Sequence, residues 1–378
     1  MKRKLQNNRV LTLVIALTAV TAFSRSLEAS DWWEEIRLKG DFRYRYEMID
    51  KEDKDSRQRH RIRARFGIYG KVSSCAKVGI QLATGSNDPV STNQTLDDSF
   101  STKRIGLDLA YLEAGLQNVP GLTMRAGKFK NPFFKPGKSE LLWDSDWNPE
   151  GGAVTFERAN DKVTLTMIAA GLWIDERSSS DDSYLTAGQG VVRLHFNEKK
   201  SSVAVGGGFF NYINTQGFAP FFDPDDPMGN SVTTVEEDGG TALYYASGFK
   251  ILELFGEATH KFEKIPVTVM LHYVSNTAAD NLKTGWLVGL RVGKAKKPGM
   301  WEFRYNYREV EKDAVVGMFT DSDFRGGGTD AKGHEVGAAV QLAKNIAFKV
   351  SYFINEIGLE REEMEGFKRL QVDLQLKF

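Results

Sequence analysis

One cysteine stands in 378 residues, so neither a disulfide framework nor a thiolate zinc site is available. Proline is scarce at ten, and lysine plus arginine balance aspartate plus glutamate at 50 each, which leaves no global basic footprint for nucleic acid. After residue 29 no apolar run approaches the roughly 18 residues a membrane helix requires. No H-E-x-x-H, phosphate-binding loop or G-x-S-x-G elbow occurs, and the five histidines are scattered, so no metal centre, cofactor or catalytic residue is assigned. What is abundant is glycine, 36 residues, nearly a tenth of the chain against a usual share of about 7%. Aromatic residues reach 11%, which with the charge content argues against disorder.

The N-terminus carries Lys2, Arg3, Lys4 and Arg9, then the apolar run Val10 to Phe23, then Leu27-Glu28-Ala29. This order of basic, apolar and small residues reads as a cleavable signal peptide over residues 1–29, with 30–378 as one exported unit. An uncleaved anchor is disfavoured because the run is too short to span a bilayer.

Beyond it the pattern has period two. Phe42, Tyr44, Tyr46 and Met48 alternate with Asp41, Arg43, Arg45 and Glu47, and Ile62, Ala64, Phe66 and Ile68 alternate with Arg61, Arg63 and Arg65. Sixteen such segments can be counted, ending in Leu370, Val372, Leu374, Leu376 and Phe378. Over 103–116 the apolar parity switches, which predicts a β-bulge. Over 162–174 both parities are apolar, as if that strand were covered. Short connections such as 73–75, 197–200 and 343–345 alternate with long ones such as 85–102, 131–151, 213–248 and 312–331. The expected fold is therefore all-β: a transmembrane antiparallel barrel of about 16 strands with short periplasmic turns and long extracellular loops. In lipid every backbone polar group must be paired internally, so the sheet must close. The apolar parity then faces lipid, and the charged parity faces a lumen wide enough at this strand number for water. A soluble β-sandwich is the alternative, but it gives no reason for the loop alternation.

The terminal Phe378 resembles the assembly signal of bacterial outer-membrane barrels. The run Ala110–Ala114 followed by Met124-Arg125-Ala126-Gly127-Lys128-Phe129-Lys130-Asn131-Pro132-Phe133 resembles a porin strand feeding a constriction loop. Trp143–Gly151, Tyr273–Asn276, Asp321–Phe324 and Gly333-His334 are similar to segments of the bacterial outer-membrane "putative porin" family. That resemblance implies a diffusion channel of the Gram-negative outer membrane for small hydrophilic solutes or ions, inserted by the barrel-assembly machinery. It names no solute. General porins of this size suggest a homotrimer.

The strongest charged constellation is cationic. Arg37, Lys39, Arg43 and Arg45 on one strand and Arg57, Arg59, Arg61, Arg63 and Arg65 on the next are read as pore lining; the second set covers roughly 20 Å of depth. Loop 131–151 is too aromatic for a free external loop and is expected to fold into the lumen as a constriction. Its neighbourhood supplies Lys130, Glu140, Asp144, Asp146 and Glu150. If these acids pair with the arginines the loop is pinned; if they face them across water, a transverse field favours anions. The second arrangement is the one expected. Asp223–Pro227 and Asp321–Asp323 read as acidic surface loops, where a calcium site stays open as an alternative. Two other functions compete with the channel: a barrel hydrolase, and a plugged structural or adhesive barrel.

Overall fold

The computed structural model describes residues 35–237 and 240–378; the expected signal peptide lies outside the described residues. Sixteen antiparallel strands form one barrel. In chain order they are β1 Arg37–Lys51, β2 Arg57–Lys71, β3 Ala76–Thr84, β4 Ile105–Gly115, β5 Leu122–Lys128, β6 Glu150–Ala159, β7 Val163–Asp175 and β8 Ser183–Phe196. The second half comprises β9 Ser201–Ile213, β10 Lys250–Phe262, β11 Ile265–Asn276, β12 Thr284–Gly293, β13 Trp301–Val310, β14 Ala331–Ala343, β15 Ile346–Ile357 and β16 Glu365–Lys377.

Each strand pairs with its chain neighbours, and β1 pairs with both β2 and β16, so the sheet closes. Closure is finished by Phe378, whose backbone exchanges hydrogen bonds with Gly40 at 3.0 and 3.1 Å. The Phe378 ring occupies the space a Cβ on residue 40 would need. The connections on one side are L1 52–56, L2 85–104, L3 129–149, L4 176–182, L5 214–249, L6 277–283, L7 311–330 and L8 358–364, and every connection longer than seven residues is among them.

The alternation expected from sequence orients the side chains. Phe42, Tyr44, Phe66, Ile68, Ile80 and Leu82 are exposed on the outer face, while Arg45, Glu47, Arg63 and Gln81 on the other parity are buried. The parity switch in β4 is a bulge: Gln81 pairs with Leu109 and Leu82 with Leu107, leaving Asp108 turned inward. There it accepts hydrogen bonds from Gln81 and Asn148 at 2.5 and 2.6 Å. Above the end of β3, the short strand Gln94–Thr95 of L2 pairs with β2, so the exposed upper edge of β2 is covered.

Tyr44, Tyr46 and His60 group on the exterior towards the loop side, as do Tyr305, Tyr307 and His334. These resemble the aromatic girdle that marks a membrane interface. His272 departs from the expectation of solvated histidines. It is buried, bonded to Glu253 at 2.8 Å and to Ser139 of L3 at 2.9 Å.

One part of the barrel interior holds an apolar cluster. Phe210, Tyr212, Ile251, Val274, Leu287 and Val310 point inward and bury against four loops, of which L2 contributes Val90. L3 contributes Phe129, Phe133, Leu141, Leu142, Trp143 and Trp147; L5 contributes Phe221, Tyr245 and Phe249; L7 contributes Ala314 to Val316, Met318 and Phe319. The two-sided apolarity of β7 has the same cause, since Ile168 and Leu172 face this cluster from within while Met167 faces out. Asp321-Ser322-Asp323 is therefore not a surface loop: L7 carries it into the lumen, where Asp321 is buried.

Candidate functional site

β5 is short, and the chain leaves the wall at Phe129 to enter the lumen. The loop, expected at 131–151, spans 129–149. It is held to the far wall by polar contacts: Phe134 N and O bond the Gln189 side chain at 2.7 and 3.0 Å, and Gly137 N donates to Glu257 at 2.6 Å. Arg291 donates to Gly137 O. The tip is a single turn, Pro136–Lys138, with Gly137 at φ 54, where a Cβ would collide with Met270. Trp143 and Trp147 stack at 4.2 Å, and Phe133 meets Phe210 edge-on at 5.1 Å. L3 and L7 bond each other directly. Asp144 N donates to Phe319 O at 2.9 Å, Ser322 N to the Asp144 carboxylate at 2.9 Å, and Thr320 Oγ1 to Glu140 O and Leu141 O at 3.1 and 3.0 Å.

Opposite this assembly stands the arginine ladder. Register sets Arg43 against Arg63 and Arg45 against Arg61, and like charges directly opposite are destabilising unless balanced. Carboxylates from distant elements balance them. Arg45 makes a bidentate pair with Asp373 of β16 at 2.6 and 2.9 Å and reaches Asp323 of L7 at 3.4 Å. Arg63 pairs with Asp41 at 2.7 Å and Asp146 at 3.5 Å; Arg65 pairs with Asp146 at 2.6 Å. Arg43 donates to Asn93 of L2 at 2.5 Å.

Between ladder and loop lies a cavity of about 470 Å³. It collects Arg43, Arg45, Arg63, Arg65, Lys130, Glu140, Asp144 and Asp146 from the residues expected in the site. A second cavity of about 510 Å³ on the L2 side shares Asp146 with it. The other expected residues fall elsewhere. Arg61 sits above, near Asn93 O at 3.4 Å, and Arg59 pairs with Glu47. Arg57 is exposed at the loop end of β2; Arg37 and Lys39 are exposed at the opposite mouth, Lys39 lying 5.6 Å from the Tyr69 ring centroid.

Two expectations are corrected. Glu150 is the first residue of β6 and pairs with Lys128 at 2.7 Å, so it is not a counter-charge in the loop. Asp146 does not face the ladder across water but contacts it, through Arg63 and Arg65. Glu140 and Asp144 do stand apart from the arginines. They converge with Asp321 so that carboxylate oxygens of all three lie within 4.8 Å of one another. Lys135 approaches Glu140 at 3.7 Å and Arg308 approaches Asp321 at 2.5 Å.

Environment divides these acids. Burial works against the charge of Asp146, but Arg65, Arg63 and Arg43 outweigh it and hold the carboxyl below its usual range. Asp323 is likewise held low against burial by Arg45 and Arg369. Burial, with Glu140 and Asp146 adding repulsion, pushes Asp144 well above the usual range. Burial, partly offset by Lys135, raises Glu140 from 4.5 to about 7.

Sequence reading missed Asp108, Glu335 and Asp373, and gave Asp41 and Asp323 no place beside the arginines. The signal was present, because each except Asp323 lies on the inward parity of a strand. Asp323 follows the run Ala314 to Phe319, which is as unsuited to a solvated loop as the aromatics of L3.

A closed 16-stranded barrel with an apolar exterior, a charged lumen and an inward loop defines the outer-membrane porin class. The sequence matches the family described as "Putative porin" over residues 49–265 and 225–378, and the chain belongs to that family. Three solved structures share the fold. Pseudomonas putida OprB at high pH has TM-score 0.59 and 9% identity, covering 94% of this chain and 100% of its own. Salmonella typhi OmpF, in complex with daunomycin, has TM-score 0.54 and 11% identity, covering 91% and 97%. Vibrio cholerae OmpT, an outer membrane protein in its trimer form, has TM-score 0.52 and 12% identity, covering 91% and 99%. No curated protein matches the sequence. The chain is an outer-membrane porin.

Proposed function

We propose that the chain lets small hydrophilic solutes cross passively, prefers anions, and performs no catalysis. The observation that carries the preference is the charge lining the lumen cavity. Ten lysines and arginines face seven carboxylates there, and Glu140 and Asp144 are held back from ionising. Fixed charge of one sign in a narrow aqueous path raises the local concentration of the opposite ion. The residues proposed to line the path are Arg43, Arg45, Arg61, Arg63, Arg65 and Lys130, with Asp146 at the junction of the two cavities. Arg37, Lys39, Arg57 and Arg59 act at the mouths. Export by the 1–29 signal peptide, recognition of Phe378 during assembly, and a homotrimer like the OmpT form complete the proposal.

Swelling of proteoliposomes tests it. Gluconate of matched size should enter faster than the corresponding cationic sugar amine, and no ester, peptide or glycoside should be cleaved. No swelling with any solute would indicate a barrel closed by L3, L5 and L7, a structural role. Hydrolysis by the folded protein would indicate an enzyme.

A further inference from the structure

The cavity's cations differ in what they touch. Those of the ladder are met by Asp41, Asp146, Asp323 and Asp373. Beneath the tip of L3 the balance is poorer. Register puts Arg291 of β12 directly opposite Arg304 of β13, a second like-charge pair. Lys138, on the L3 tip, is within Coulombic range of both and, among the described residues, has no carboxylate within the 4 Å of an ion pair. Lys349 of β15 is within range of Arg304, and its Nζ donates to the neutral Gln375 at 2.7 Å. Carboxylates are near as well, and Asp373, which stands opposite Lys349 in the register, is itself engaged by Arg45. Glu302 is 3.9 Å from Arg291, and Glu335 is 3.0 Å from Arg304 but is shared with Arg308 at 3.1 Å. Arg291 donates to Gly137 O and Arg304 to Ser351 Oγ at 2.9 Å; their buried Nε atoms, like those of Arg43, Arg61 and Arg65, have no hydrogen-bond partner, and buried donors without partners are costly.

We propose that Lys138, Arg291, Arg304 and Lys349 form a binding subsite for a multivalent oxyanion, a station on the anion path that rests on the porin reading above. The four cations come from one loop and three strands and line one cavity of about 470 Å³. A halide can contact few of these donors at once. A solute with several anionic oxygens can take Arg forks and ammonium donors from different walls together, in charge-assisted hydrogen bonds. In the ladder, by contrast, Arg45, Arg63 and Arg65 are each bonded to a carboxylate, at 2.6, 2.7 and 2.6 Å. Inorganic pyrophosphate is a suitable probe because its charge and oxygens are spread over two centres.

The test is calorimetric titration of the folded full chain with pyrophosphate at pH 7.5, alongside planar-bilayer recording in potassium chloride with pyrophosphate added. The expected result is saturable binding with a matching decrease in conductance. The combined Lys138→Gln and Lys349→Gln variant should weaken binding about tenfold or more, as loss of charge-assisted bonds implies. Lys138→Arg with Lys349→Arg should retain it, and Lys77→Gln, remote on β3, should leave it unchanged. A channel that conducts chloride but binds no pyrophosphate overturns the subsite and leaves the porin reading standing. Binding without any conductance supports the subsite and overturns the channel. Binding undiminished in the double glutamine variant, shown folded by its thermal transition, also overturns the subsite.

Discussion

Asp146 is the residue on which the constriction turns. It is pinned by Arg65 at 2.6 Å and Arg63 at 3.5 Å, and it lines both cavities. Asp146→Asn removes a charge that is present at any working pH, because its carboxyl is held low. It frees two guanidiniums for solute, so the variant should select anions more strongly than the parent, read as a larger reversal potential in a salt gradient. Trp143 has the complementary role. It is 1% exposed and stacked on Trp147, so Trp143→Ala should cost about 3–5 kcal/mol of packing. The cost should appear as protease cleavage within 129–149 at concentrations that spare the parent. At this scale the arginines were legible because period two displays them on one face. Which acid each one meets was not, because Arg45 meets Asp323 and Asp373 across 278 and 328 residues of sequence, and only barrel closure brings them together.

The junction of L3 with L7 is an element whose stability follows pH. Glu140 is raised from 4.5 to about 7 and Asp144 is raised also, so the docked loops bind protons more tightly than separated ones. The contribution of Glu140 to docking is complete below about pH 4.5, declines as pH rises through the interval to about 7, and is lost above it; Asp144 acts with the same sign. Asp146 and Asp323, held low, act oppositely: their contribution is present above their ordinary value of 3.8 and is lost as pH falls below it. Docking should therefore be strongest near pH 4 to 5. Amide exchange in 140–146 and 319–323, corrected for its intrinsic rate, should be slower at pH 5 than at pH 8, and Glu140→Gln should flatten the difference. L3 could be recognised as an inward loop from Phe133, Phe134, Leu142, Trp143 and Trp147. The same rule, applied to Ala314–Phe319, would have found L7. L5 is harder to see, because Phe221, Tyr245 and Phe249 are spread among polar residues.

For the whole molecule, strand number and sidedness were readable because a lipid-exposed sheet must alternate strictly and must close. The bulge at Asp108 was readable because it breaks that alternation. The partly filled lumen was not, since apolar inward residues such as Phe210 and Ile251 look the same whether they meet a loop or a neighbouring sheet. Closure also carries a prediction. Phe378 contributes two backbone hydrogen bonds to Gly40 and is itself exposed, so deleting it should barely change the thermal transition of refolded protein. It should nonetheless lower the amount inserted in cells, measured by membrane fractionation; normal insertion would remove its assembly role. The central claim, a conducting lumen with excess positive charge, is tested most directly by the zero-current potential of the purified chain in a planar bilayer under a tenfold potassium chloride gradient. The account predicts a steady conductance whose reversal potential lies on the chloride side, moving towards zero in the combined Arg61→Glu and Arg63→Glu variant. A cation-selective potential, or one that the variant leaves unchanged, would contradict it.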